Sequence, residues 1–84
     1  MATMCVEVRL FAVVRDFAGS ERLAVELPQG ATVADLRQKL VEQLPGLAAM
    51  APQLLFAVDE QYTRDNTVLE PDADVACIPP VSGG

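Results

Sequence analysis

Apolar and polar residues alternate along two segments in the first third of the chain. The alternation over residues 5–11, and again over residues 21–27, predicts two β-strands because successive side chains of a strand point to opposite faces. Between them, residues 13–18 are long enough for one helical turn, and Gly19 follows where helices favour glycine. The side chains that share one face of these strands are Val6, Val8, Leu10, Leu23, Val25 and Leu27.

A longer helix is predicted after the second strand. Thr32 is a favoured N-cap residue, and Pro45 with Gly46 stops the helix. Apolar residues then recur at steps of three and four, which places them in one stripe along the helix. The stripe consists of Val33, Leu36, Leu40 and Leu44. A helix with such a stripe is predicted to pack on one face of a sheet.

The second half of the chain is predicted to contain short strands. Residues 54–58 form an apolar run typical of a buried strand, residues 59–61 a turn, and Tyr62 with Thr63 a brief edge. Residues 67–69 are a candidate for a further short strand, and Val75–Ile78 is the last one.

This order of elements predicts an α+β fold of the β-grasp, ubiquitin-like type. A mixed sheet then carries one long helix packed on one face, and the first and last strands lie parallel in the middle. The length of 84 residues allows one domain. We assign residues 1–78 to the β-grasp domain and residues 79–84 to a flexible C-terminal tail.

Charge and hydropathy exclude several classes of partner. The chain has 12 acidic and 6 basic residues, a net charge of −6, whereas affinity for nucleic acid comes mainly from neutralising phosphates. The same balance disfavours an anionic membrane surface, and the apolar runs are far shorter than the ~20 residues that span a bilayer. We therefore expect a cytoplasmic protein with no nucleic acid and no membrane partner.

Histidine is absent, and cysteine occurs twice. The chain thus lacks the most common general base and metal ligand, and its cysteines lack the spacing of a zinc site. We expect no bound metal or cofactor, and expect a partner to supply catalytic groups. Alternation places Cys5 outward and Cys77 inward, which predicts two free thiols rather than a disulfide.

The tail has an unusual composition. Proline cannot donate to a sheet ladder and has a fixed φ, so two prolines end the strand pairing and stiffen the base of the tail. Two glycines without side chains allow the backbone and the carboxylate to enter a narrow slot. This composition predicts insertion of the tail into a partner. Its residues are Pro79, Pro80, Val81, Ser82, Gly83 and Gly84.

These residues carry a resemblance to a known family. Residues 75–84, VACIPPVSGG, closely resemble the C-terminus of the MoaD-like family, the small, sulfur-carrying subunits of molybdopterin synthase. Residues 8–19, with the letters LFA, and residues 32–37 at the predicted helix start are similar to the same family. Ala73 departs from it where a turn glycine is usual, and Asp59 replaces a frequent asparagine. Both departures concern turns rather than the tail.

The resemblance implies that Gly84 is the reacting residue. An E1-like adenylating enzyme uses ATP to activate its carboxylate, and sulfur then replaces AMP to give a thiocarboxylate. The tail enters the large subunit of molybdopterin synthase, where the sulfur passes to a pterin precursor and forms the molybdopterin dithiolene of the molybdenum cofactor. On this interpretation the chain has no catalytic groups of its own. It is the sulfur-donating subunit of a sulfurtransferase, in a heteromeric complex.

Other functions share the same sequence features. A sulfur carrier for thiazole formation also has the β-grasp fold and a Gly-Gly end, although such chains are usually shorter and lack Pro-Pro-Val-Ser before it. A carrier for tRNA thiolation, or a ubiquitin-like protein modifier, has the same tail chemistry. A plain interaction domain would end in Gly-Gly by chance.

Apolar residues beside the tail predict a docking surface. Alternation puts Phe11 on the sheet face away from the helix, and Ile78 faces outward because Val75 and Cys77 point inward. If the end strands are neighbours, Phe11 and Ile78 form an exposed patch that Tyr62 extends. Exposed apolar clusters mark interaction sites, so we predict that a partner docks here. The alternative is that a loop covers these residues.

Overall fold

The computed structural model describes residues 2–80, which form a mixed five-stranded sheet and two α-helices. Two short 3-10 turns, Pro45–Leu47 and Ala51–Gln53, precede the third strand. The strands are β1 (Thr3–Leu10), β2 (Arg22–Pro28), β3 (Leu55–Val58), β4 (Gln61–Tyr62) and β5 (Val75–Ile78), and the helices are α1 (Ala12–Ala18) and α2 (Val33–Gln43).

The order of strands across the sheet is β2-β1-β5-β3-β4. β1 and β5 run parallel, with Leu10 beside Cys77. β2 pairs with β1, β3 with β5, and β4 with β3, all antiparallel. This topology confirms the predicted β-grasp fold, in which the first and last strands lie together in the middle of the sheet.

α2 begins at a capping box. The Thr32 hydroxyl accepts a hydrogen bond from Asp35 N at 3.4 Å, and Thr32 N donates to the Asp35 carboxylate at 2.9 Å. The two bonds satisfy backbone N–H groups at the start of the helix. Val33, Leu36 and Leu40 are then buried in the same cluster as the inner face of β1 and β2, as the predicted stripe requires.

The core is aliphatic. Phe56 is the buried aromatic residue of the described chain, and no polar or charged side chain within residues 2–80 is buried. Burial of apolar surface therefore supplies the main stabilisation of the domain. The largest fully buried side chains are Phe56, Leu36, Leu40, Leu47, Leu54, Leu69, Val6, Val8, Val14, Val25, Val33 and Val75.

Arg37 fastens α2 to the segment that leads into β3. Its Nη1 donates to the carbonyl oxygens of Ala51 at 2.6 Å and Leu54 at 2.7 Å, and its Nη2 donates to the Asp65 carboxylate at 2.7 Å. The guanidinium also lies 5.0 Å from the centroid of the Phe56 ring, within the range of a cation–π contact. These contacts fix the position at which β3 begins.

The prediction of a strand over residues 67–69 is wrong. Val68 forms one isolated bridge with Thr32, and Thr67 O accepts a hydrogen bond from Val33 N at 2.9 Å. The backbone of this segment is therefore bonded to the start of α2. A helix terminus presents few backbone groups in extended geometry, so the pairing does not continue into a ladder.

The two turns that depart from the family pattern differ in backbone geometry. Asp59 and Glu60 join β3 to β4 with φ of 51° and 71°, the signature of a two-residue type I′ hairpin loop. Asp59 suits its position because its Oδ1 accepts a hydrogen bond from Asp74 N at 3.1 Å. Ala73 lies outside the left-handed region, so alanine adopts its conformation without strain.

Candidate functional site

The predicted tail begins where β5 ends. Ile78 is the last residue of β5, Pro79 is half-buried and Pro80 is exposed. Phe11 N donates to Cys77 O at 3.3 Å, so the residue that follows β1 lies directly beside the root of the tail. The other predicted tail residues lie outside the described part of the chain; they are Val81, Ser82, Gly83 and Gly84.

The predicted docking residues lie on the sheet face away from α2. Phe11 is 42% exposed and Tyr62 70% exposed, whereas Ile78 is half-buried. Ile78 pairs with Leu55 across β5 and β3, and Leu55 is 44% exposed. We call Phe11, Leu55, Tyr62 and Ile78 the outer patch. The described part of the chain thus leaves Phe11, Leu55 and Tyr62 exposed, whereas Ile78, which was predicted to be exposed, is partly covered.

Strand parity explains why the outer patch faces away from the core. Phe56 is buried in the core, so its neighbours Leu55 and Ala57 take the opposite face of β3. Tyr62 pairs with Ala57 across the short hairpin and therefore shares that face. The patch thus crosses the sheet from the end of β1 to the edge strand β4.

Charged residues occupy the other half of the same face. Arg22 forms an ion pair with Glu7, and Arg9 Nη2 donates to the Asp74 carboxylate at 3.0 Å. The Arg9 guanidinium also lies 5.9 Å from the centroid of the Phe11 ring. Arg9 and Phe11 therefore mark the border between the charged half and the outer patch.

The two cysteines are free, which confirms the prediction from strand parity. Cys5 is exposed and Cys77 is buried. Burial raises the pKa of the Cys77 thiol to about 12, although the positive charge of Arg37 offsets part of that rise. A thiol with such a pKa is protonated at neutral pH and is a poor nucleophile. Cys77 therefore acts as a small apolar residue of the core.

Two further findings concern metal ions and membranes. Within residues 2–80, the Cys, Asp and Glu side chains form no group of three placed to hold a metal ion. Of the helices in that same range, none combines the length and the apolarity needed to cross a membrane.

Leu55 is the residue of the outer patch that sequence analysis missed. It lies in the uninterrupted apolar run of residues 54–58, which hides the period-two signal of a strand with two different faces. The signal that identifies it is the short hairpin. A two-residue turn places Tyr62 opposite Ala57, and Leu55 shares the face of Ala57 because it is two residues away.

Comparison with known proteins identifies relatives that match all or nearly all of the chain. The molybdopterin synthase sulfur carrier subunit of Homo sapiens is 34% identical over 88 residues, which cover 100% of both chains. The subunit of the same name from Arabidopsis thaliana is 33% identical over 79 residues, which cover 94% of this chain and 82% of the relative.

Two solved structures share the fold. A Pyrococcus furiosus protein assigned as molybdopterin converting factor subunit 1 has a TM-score of 0.82 at 27% identity, covering 93% of this chain and 99% of its own. SAMP1 from Haloferax volcanii has a TM-score of 0.80 at 26% identity, covering 99% of this chain and 100% of its own.

A family model provides the assignment. The model described as the ThiS family matches residues 8–84, a range that begins within β1 and includes every later element and the whole predicted tail. The relatives and the solved structures agree with this match over nearly the full length of the chain. The chain therefore belongs to the ThiS family, has its ubiquitin-like β-grasp fold, and is related to the molybdopterin synthase sulfur carrier subunits.

Proposed function

We propose that this chain is the sulfur carrier subunit of a molybdopterin synthase. The observation that carries the proposal is its similarity to the human molybdopterin synthase sulfur carrier subunit along the full length of both chains. The proposal gives the chain two partners, a large synthase subunit and an E1-like adenylating enzyme. It also makes Gly84 the residue that carries sulfur.

The proposed cycle begins with activation of the Gly84 carboxylate. An α-carboxyl group has a pKa of about 3.3–3.7, so at neutral pH it is ionised and resists nucleophilic attack. The adenylating enzyme joins this carboxylate to the AMP portion of ATP and releases pyrophosphate. A sulfur nucleophile then displaces AMP and leaves a thiocarboxylate, whose sulfur passes to the pterin precursor in the large subunit. The carrier itself holds no cofactor, and ATP consumption suits the expected cytoplasmic location.

The composition of the chain supports this division of labour. The sequence contains no histidine, and the Cys77 thiol is buried with its pKa raised to about 12. The most common general base is thus absent, and the buried thiol is protonated at neutral pH. In the proposal the partners supply proton transfer, and the carrier supplies sulfur and its position.

The outer patch is the proposed contact with the large subunit. Phe11 hydrogen-bonds to β5 one residue before Ile78 and two residues before Pro79, so a protein that covers the patch is positioned to receive the tail. Buried aromatic and aliphatic anchors dominate the binding energy of most interfaces. Pro79 and Pro80 stiffen the exit from β5, which lowers the entropy lost when the tail is bound.

Intact-mass measurement tests the proposal directly. After incubation with the adenylating enzyme, ATP and a sulfur donor, the chain is expected to gain the mass difference between sulfur and oxygen, confined to the C-terminal peptide. Deletion of Gly84 abolishes the gain, whereas Cys5→Ser, the control, keeps it. A modified cysteine together with an unchanged C-terminal peptide would contradict the carrier function.

Protein modification is the second candidate function. It is favoured by the similarity to SAMP1 from Haloferax volcanii. The name stands for small archaeal modifier protein 1. A modifier would join its activated Gly84 to a lysine of another protein instead of releasing sulfur. The thiocarboxylated chain is therefore offered separately to the large synthase subunit with its pterin precursor and to thiazole-forming and tRNA-thiolating systems. The unmodified chain, together with the adenylating enzyme and ATP, is offered to a lysine-bearing protein, whose amine would displace AMP from the Gly84 adenylate. Sulfur transfer to the pterin alone supports the proposal, and an isopeptide product supports modification.

A further inference from the structure

Arg15 lies in the last turn of α1, at the border of the outer patch. It is exposed, and with Arg9, Arg22, Phe11 and one acidic residue, Glu21, it lines a cavity of about 220 Å³. The whole chain has 6 basic residues against 12 acidic ones, so half of its positive charges surround this cavity. Three arginines against one glutamate leave an excess of positive charge at this cavity, which favours an anionic group in an otherwise acidic protein.

The three arginines differ in how their charges are neutralised. Arg9 pairs with Asp74, and Arg22 pairs with Glu7. The ion pairs within residues 2–80 do not include Arg15. The C-terminal end of α1 favours a cation at this position, but that interaction leaves the five N–H donors of the guanidinium free for an external acceptor.

Arg15 and Phe11 are placed to contact the same partner group. Arg15 follows Phe11 by four residues, its backbone N donates to Phe11 O at 3.5 Å, and both side chains line the same cavity. A surface that covers the Phe11 ring therefore also meets the Arg15 guanidinium. Interfaces commonly surround an apolar centre with a polar rim, and Arg15 holds such a rim position.

We infer that Arg15 binds a carboxylate of the protein that covers the outer patch. This inference rests on the proposed function, in which that protein is the large subunit of molybdopterin synthase. The planar guanidinium binds a carboxylate through two parallel hydrogen bonds, a geometry that lysine does not provide. Because the rest of the carrier is acidic, an acidic side chain of the partner is attracted at Arg15 and repelled over most of the remaining surface. Arg15 thereby determines the orientation in which the partner docks.

The test compares two charge reversals that change the net charge equally. Arg15→Glu alters the inferred contact. The control, Arg64→Glu, alters an exposed arginine in a turn beside the start of α2, where the backbone of Asp65 accepts a hydrogen bond from the first turn of the helix. At low ionic strength we expect Arg15→Glu to raise the Kd for the isolated large subunit about 30-fold, and Arg64→Glu less than about threefold. The difference should shrink near 1 M salt, where the Debye length is about 3 Å.

Controls separate this inference from the proposed function. Arg15→Gln, which removes the charge without adding repulsion, is expected to raise the Kd about fivefold and provides a second reading if the reversal impairs folding. Equal weakening by the Arg15 and Arg64 reversals would overturn the inference, while binding of the unaltered chain would leave the proposed function intact. Failure of the unaltered chain to bind the large subunit would overturn both.

Discussion

The two halves of the sheet face that lies away from α2 differ in the side chains that they carry: one half is charged and the other is apolar. The half formed by β1 and β2 carries charges that pair with one another or with Asp74, as Arg22 does with Glu7. The half formed by β5, β3 and β4 carries the exposed Leu55 and Tyr62 and the half-buried Ile78. An exposed charge is stabilised by ion pairing and by hydration. An exposed apolar side chain is stabilised only when a partner removes it from water. The comparison identifies the apolar half as the one suited to a partner.

The largest expected effect is the loss of binding when a charge enters the apolar half. We expect Phe11→Asp or Ile78→Asp to weaken binding to the large synthase subunit by about 2–4 kcal/mol, as at an interface hot spot. Ala24→Asp is the matched control, because Ala24 is exposed and pairs with Glu7 on the charged half. Titration calorimetry measures binding, and circular dichroism checks the fold.

Two results of that experiment would break the comparison. Equal weakening by the Ala24 variant would mean that the whole face, rather than its apolar half, contacts the partner. An unfolded Phe11 or Ile78 variant would assign that residue to the core instead of the interface.

The next largest effect is expected at the edge of the apolar half. Tyr62→Ala removes a side chain that is 70% exposed, so we expect little change in the free energy of unfolding. Binding to the large subunit should weaken by about 1–2 kcal/mol, since aromatic residues are frequent anchors of interfaces. Calorimetry and thermal unfolding measure the two quantities. A loss of stability without a loss of binding would exclude Tyr62 from the docking surface.

A smaller effect is expected on stability, at the turn that joins β3 and β4 in the apolar half. Glu60 has a φ of 71° in the turn between β3 and β4, and this left-handed conformation costs an L-residue roughly 1–2 kcal/mol. Allowing for the greater freedom of glycine in the unfolded chain, Glu60→Gly should increase the free energy of unfolding by about 0.5–1 kcal/mol. Gln61→Gly, at an ordinary φ, should decrease it. Urea denaturation decides the sign, and equal destabilisation by both would contradict the turn geometry.

The smallest effect is expected in the charged half. Arg22 and Glu7 have side chains that are 64% and 59% exposed, and ion pairs at such positions contribute about 0–1 kcal/mol. Arg22→Gln should therefore change the free energy of unfolding by less than about 0.5 kcal/mol. Because Glu7 already neutralises Arg22, the substitution should weaken binding to the large subunit less than Arg15→Gln does. A clear loss of binding would show that the charged half also takes part in docking.

Much of the fold was predictable because buried strands constrain their sequences strongly. The last strand has the predicted bounds, Val75–Ile78, and parity correctly placed Cys5 outside and Cys77 inside. A shift of one residue would exchange the two faces, which makes period two a dependable signal wherever one face is buried. The capping residue Thr32 was equally clear, because few residue types accept hydrogen bonds at a helix start.

The features that sequence reasoning missed depend on partners distant in the chain. Arg37 donates to carbonyl groups 14 and 17 residues away, and nothing near it in sequence indicates those acceptors. Residues 67–69 have strand-like composition, but their neighbour in space is the start of α2. The composition of three residues does not indicate whether a strand or a helix end lies beside them. Only the tertiary structure shows whether such a segment pairs as a strand.

The central position of β5 has a consequence for synthesis on the ribosome. β5 separates β1 from β3 in the sheet, yet it follows both of them in the chain. A nascent chain that ends before residue 75 holds two hairpins with no strand between them, and non-local pairing of this kind forms late. The outer patch draws Phe11 from one side of β5 and Leu55 from the other, so it assembles only once translation has reached the tail. A partner that recognises the patch therefore cannot engage the chain before β5 has been made.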